Sequence, residues 1–166
     1  LVPIVAASIY GFAALTSRRD LEARLARHRG EAAAILSEAD RKRAALDDVE
    51  RRAFAAFDGQ RRDDGERLWA EARDLYTALD VQYREASQKV ETALALDTGS
   101  KEAQAELARV LHLRILLAER RHQDALREEL LQRLQVYDVG GRFQALLDAP
   151  ARVHLETCLL YTSRRG

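Results

Sequence analysis

The chain has 166 residues and carries 27 Lys and Arg against 27 Asp and Glu, so its net charge is zero and neither nucleic acid nor an anionic membrane surface is favoured as a partner. Only 2 Pro, 8 Gly and 4 Phe interrupt a sequence rich in Ala, Leu, Arg and Glu, which is the texture of long helices and excludes a sandwich or barrel. One cysteine, Cys158, rules out an internal disulfide and a cysteine-based zinc site.

The chain begins at Leu1 and contains no methionine, which predicts an interior piece of a larger protein. Leu1 to Leu15 (LVPIVAASIYGFAAL) hold no charge and then meet Arg18 and Arg19. A bilayer-spanning helix needs about 20 apolar residues, so residues 1–17 read as part of a transmembrane helix anchoring the protein in a bacterial inner membrane. Tyr10 suits the interface, Arg18 and Arg19 suit snorkelling cations, and Pro3 and Gly11 are tolerated in lipid. The alternative is a buried core helix or the remnant of a signal peptide.

From Asp20 to Phe57 the apolar residues Leu21, Leu25, Ala32, Ile35, Leu36, Ala39, Leu46, Val49, Ala53 and Phe57 recur at helical steps, predicting one long amphipathic stalk helix within residues 18–58. Gly30 weakens it by about 1 kcal/mol without stopping it. The alanine-rich seam suits a coiled coil, and Leu21, Leu25, Ile35 and Leu36 are its candidate residues for self-association. The run Asp58 to Gly65, with two glycines and clustered aspartates, predicts a hairpin turn in which Asp63 and Glu66 approximate a capping box.

A second helix is expected over Glu66 to Leu96. It carries Leu68, Ala72, Leu75, Leu79, Ala86, Val90 and Leu94 on one stripe and Trp69, Tyr76 and Tyr83, seven apart, on the next. These aromatics serve as packing residues against the first helix or, alternatively, as a peptide- or ligand-binding face. Gly99 is placed for a left-handed backbone and Ser100 for an N-cap, opening a third helix from Lys101 to about Arg120 that should be the most buried element. A fourth runs from about Gln123 to Tyr137 and stops at Asp138-Val139-Gly140-Gly141. The alternation around Val153 and Leu155 predicts a short strand, so residues 139–157 read as a turn and the start of a β-domain. Cys158 to Ser163 resembles translated sequencing adaptor, and residues 158–166 are set aside as an artefactual tail.

No catalytic, cofactor or metal site is expected. His28, His112, His122 and His154 lack metal-ligand spacing, and Gly99-Ser100-Lys101 lacks the first glycine and the strand of a phosphate loop. No serine sits in a nucleophile elbow, and the acidic residues alternate with arginines as on a solvated helix surface.

The stretch ALALDTGSKEAQAELARVLHLRILLAERRHQDALREELLQRLQVYD, followed after the glycine turn by APARVHLET, resembles the region after the membrane helix in bacterial transmembrane serine/threonine protein kinases. The resemblance implies an all-α chain in which residues 59–138 stack as tetratricopeptide-like hairpins, before a β-domain opening at Val153. It also implies a non-catalytic stalk that binds a protein partner or a second copy, on the extracytoplasmic side of the membrane. Arg18, Arg19, Arg24, Arg27 and Arg29 argue for the cytoplasmic side instead. Two other readings are a structural spacer that presents a downstream extracytoplasmic domain and a soluble tetratricopeptide-like adaptor whose N-terminal apolar run is core.

Overall fold

The computed structural model describes residues 2–149, with side chains from Arg18 onward; the described residues are helical apart from short turns and include no strand. Five helices follow in order: α1 (Val2–Asp58), α2 (Arg62–Leu96), α3 (Lys101–Arg120), α4 (Asp124–Tyr137) and α5 (Arg142–Leu147). The all-α expectation holds. The boundary drawn at residue 17 leaves no mark on the backbone, because α1 runs through it as one helix, and nothing crowds Gly30. Among the described residues no helix is long and apolar enough to cross a membrane. The side chains of the apolar run Leu1 to Leu15, the expected strand at Val153 and the tail 158–166 lie outside the described residues.

α1 and α2 form an antiparallel hairpin whose seam repeats every seven residues. Ala32, Ala39, Leu46 and Ala53 recur at that step on α1, with Val49 and Ala56 three residues on. On α2, Ala72, Leu79, Ala86 and Ala93 alternate with Tyr76, Tyr83 and Val90, and all are buried. A sustained heptad pattern keeps one face of each helix on its partner. The small alanines leave room for the buried rings of Tyr76 and Tyr83.

The turn between these helices departs from expectation. It occupies Gly59 to Arg61, with Gln60 at φ 58°, and α2 starts at Arg62 without a side-chain cap. Asp63 and Gly65 are already helical. Gly65 is buried because the Phe57 ring lies on it: a Cβ added there would sit 2.5 Å from Phe57 Cε1. The glycine therefore serves close packing inside the helix and does not terminate one.

α3 joins two cores. Val110 and Leu117 enter the cluster between α1 and α2, while Leu107, Ala108, Leu111, Ile115 and Ala118 pack with Leu130 and Leu134 of α4. Ser100 caps α3, its Oγ accepting from the Ala103 amide at 3.3 Å. Gly99 does not adopt the expected left-handed backbone; the Asp97 carboxylate closes the turn by accepting from the Gly99 amide at 3.0 Å.

Residues 142–147, expected between a turn and a strand, are helix. Asp138 accepts from the amides of Arg142, Phe143 and Gln144 at 3.1, 2.8 and 2.9 Å, satisfying the first turn of α5, and Gly141 takes the left-handed conformation at φ 62°. Phe143 then meets the His112 ring, centroids 5.1 Å apart, which docks α5 on α3.

Gly65→Ala tests the hairpin packing. Helix propensity alone favours alanine by about 1 kcal/mol, but overpacking against Phe57 costs about 1–3 kcal/mol. The thermal midpoint followed by circular dichroism is expected to fall, and a Phe57→Leu partner change to restore it. A Gly65→Ala chain melting above the parent contradicts the contact.

Candidate interaction groove

α1 and α3 run in the same direction over α2 and are tied to each other through long side chains. At one end Arg29 grips Glu106, with Nη2 at 2.6 Å and Nε at 3.0 Å from Oε1. Midway, Arg109 approaches Asp40 at 3.7 Å. At the far end Arg120 donates to Asp47 at 2.9 Å and also to Glu50. From Glu106 to Arg120 the groove between the two helices is about 21 Å long at 1.5 Å rise per residue.

Two hollows share that groove. One of about 250 Å³ is lined by Ala32, Ala33, Leu36, Ser37 and Val90. The other, about 300 Å³, is lined by Leu46, Leu79, Tyr83, Leu113, Leu116 and Leu117, with Arg43, Glu119 and Arg120 around it. Leu116 is 38% exposed, so the wall contributed by α3 is partly open to solvent. The two edges carry mixed and largely paired charges: Asp40 and Asp47 of α1 face Arg109 and Arg120 of α3, whereas Arg29 of α1 faces Glu106 of α3, and Arg43 and Glu119 stand at the second hollow. The groove thus has small residues on α1, an apolar floor and charged rims.

The Arg120 end of the groove is held more firmly than its middle. Exposed ion pairs contribute little, about 0–1 kcal/mol, and the long Asp40–Arg109 pair is of this kind. The Arg120 end differs, because the Glu50 side chain is only 13% exposed and needs its partners. The Tyr76 hydroxyl donates to Glu50 Oε1 at 2.5 Å, and the Arg120 guanidinium stands 5.9 Å from the Tyr76 ring centroid. Burial, and after it the hydrogen bond to Glu50, push the Tyr76 phenol up to about 12. Burial opposes the Arg120 charge, but hydrogen bonding to Asp47 and the fields of Tyr76 and Glu50 outweigh it and raise its pKa. This network latches the end of α3 to the hairpin.

The residues singled out from sequence fall into separate places. Leu36, Tyr76 and Tyr83 are buried in the core shared by α1 and α2, with Ile35 and Trp69 packed against it. Leu36 and Tyr83 also line the groove, and Tyr76 belongs to the latch. Trp69 meets Phe54 edge-on at 5.6 Å, toward the turn of the hairpin. Leu21, 36% exposed, and half-buried Leu25 lie further along α1. Helical spacing flags ion pairs within one helix, so it gives no sign of the bonds that join Arg29 to Glu106 and Arg120 to Asp47 and Glu50, residues 70 to 77 apart. Among the described residues no three His, Cys, Asp or Glu side chains converge as a metal site requires. Comparison with protein families, curated proteins and solved structures gives no match to the chain.

The latch has a pH signature. The phenol of unfolded Tyr76 ionises near 10, below its folded value of about 12, so the folded state binds more protons in between and stability falls as pH rises through that window. Glu50→Gln is expected to bring the phenol down and shrink the loss, while costing about 1–3 kcal/mol at neutral pH. Phenolate absorbance and urea unfolding on either side of pH 10 measure both effects. An unaltered titration in Glu50→Gln contradicts the assignment.

Proposed function

We propose that this chain is a non-catalytic stalk and protein-interaction region of a membrane-anchored serine/threonine kinase. The observation that carries the reading is the continuity of α1, one helix from Val2 to Asp58 that links the apolar run to the groove-bearing body. α3 and α4 with their turn span Lys101 to Tyr137, close to the ~34-residue period of a tetratricopeptide hairpin, which supports such a stack for the C-terminal half.

A partner helix seated in the groove replaces the weak Asp40–Arg109 pair and moves α1 against α3. Because α1 does not break, the movement reaches its N-terminal end. Leu25 continues the seven-residue register of Ala32 and Ala39, and Leu21 lies one turn further out. A second copy extends the seam there. Burial of each leucine contributes roughly 1.5–3 kcal/mol before the cost of association.

Two measurements test this reading. Sedimentation of the full chain in detergent is expected to show a dimer that Leu21→Asp with Leu25→Asp converts to monomer without loss of helicity; unchanged sedimentation removes the self-association mechanism. The gene, read upstream of the Leu1 codon, is expected to encode a kinase domain that phosphorylates serine or threonine, and its absence removes the kinase setting.

A further inference from the structure

α5 is lightly anchored. None of its six residues is fully buried, and Phe143 and Leu147 hold it by packing in part against the core that α3 and α4 share. At that contact the Phe143 ring leans on the His112 ring of α3, the two planes tilted by 32°. His112 Nδ1 is shut off from solvent and has no hydrogen-bond partner in the protein. This arrangement suits neutral imidazole, which can leave one ring nitrogen unprotonated, whereas imidazolium must carry a donor on both.

Charged groups approach this contact from each neighbouring element. Beside Phe143 is a hollow of about 460 Å³, which Lys101, Glu106 and Arg109 of α3, Tyr137 of α4, Asp138 of the following turn and Arg142 of α5 line. Arg142 stands 5.5 Å from the Phe143 ring centroid, and Glu106 is bound by Arg29. Asp138 is the carboxylate whose field favours a charged His112. Its two oxygens, however, already accept from the amides of Arg142, Phe143 and Gln144. Burial outweighs that field and lowers the His112 pKa.

We propose that α5 is a pH-sensitive clasp, in which protonation of His112 in the mildly acidic range releases Phe143 from α3. In the docked form a protonated Nδ1 is without water and without an acceptor; in the released form water hydrates it. The released form therefore binds the proton more tightly, and proton uptake shifts the balance toward release. Free imidazole titrates near about 6.5 and the docked ring lower, so docking is strongest above 6.5 and weakens as pH falls from there through the docked value. An element with no fully buried residue opens locally at small cost. Release uncovers part of the core of α3 and α4 and frees the chain after Leu147 to turn about Asp138 to Gly141. The clasp does not depend on the kinase setting.

Nuclear magnetic resonance of the full chain between about pH 7.5 and about pH 5 follows both rings through the window in which histidine titrates. His112 is expected to titrate below its ordinary value, and the Overhauser contact between the His112 and Phe143 rings, present at the upper pH, to vanish with the same midpoint. Phe143→Ala is expected to raise the His112 pKa toward about 6.5, and a difference of one between the two chains equals about tenfold weaker docking once His112 is protonated. His112→Phe keeps a ring and removes the titrating nitrogen, so its contact with Phe143 is expected to persist at both ends of the range. The proposal is overturned by a His112 pKa at or above the ordinary value, which would mean that Asp138 or the face of Phe143 holds the imidazolium. It is overturned equally by a ring contact that survives at the lower pH, by the same His112 pKa in the parent and Phe143→Ala, or by acid release that persists in His112→Phe.

Discussion

Alanines of α1 set against tyrosines of α2 are the contact from which the rest of the molecule follows. Ala39 and Ala53 are small enough for α2 to lie close, and Tyr76 and Tyr83 are large enough to make that closeness stabilising. Leu79 and Tyr83 of this seam also reach the hollow lined by Leu113 and Leu117 of α3, and Val90 packs with Leu107 and Leu111. Residues from both long helices therefore contribute to the clusters that α3 joins. The seam also brings Glu50 beside Tyr76, so that the polar latch depends on the same register as the apolar core.

α3 is held in two unlike ways. Toward α4 its contact is apolar, through Leu111 and Ile115 with Leu130 and Leu134. Toward α1, ion pairs span the groove, and one of them, Asp40–Arg109, is long and exposed. Apolar packing resists sliding because interdigitated side chains must separate together, whereas exposed ion pairs exchange partners at small cost. The direct tie between α1 and α3 is accordingly weaker than the tie between α3 and α4, and the two helices are held in place chiefly through α2.

Much of this architecture is legible in the residues. The stripe Ala103–Leu107–Val110–Leu111 and the Ser100 cap place α3 at its observed bounds, Lys101–Arg120, and the seven-residue spacing of Trp69, Tyr76 and Tyr83 marks the face of α2 that meets α1. Where expectation and structure part, a glycine or an aspartate has acted on something distant in the chain. Gly65 reads as a turn residue because local chemistry cannot reveal that Phe57 needs its missing side chain. Asp138 extends helical structure past Gly141 by capping amides four to six residues ahead. The groove was invisible for a similar reason: no periodicity within α1 indicates that Asp40 and Asp47 face arginines of α3, some 70 residues away.

The unbroken course of α1 ties angular phase to sequence length. Each residue of an α-helix turns the chain by about 100° and advances it by 1.5 Å, so one residue gained or lost between Arg18 and Gly30 rotates everything before it by more than a quarter of a turn relative to the α2 seam. Seven residues nearly restore the original facing. A length change in this segment therefore preserves the facing of α1 in steps of about seven, whereas the turns at Gly59–Arg61 and Arg121–Gln123 interrupt the helices and transmit no such phase.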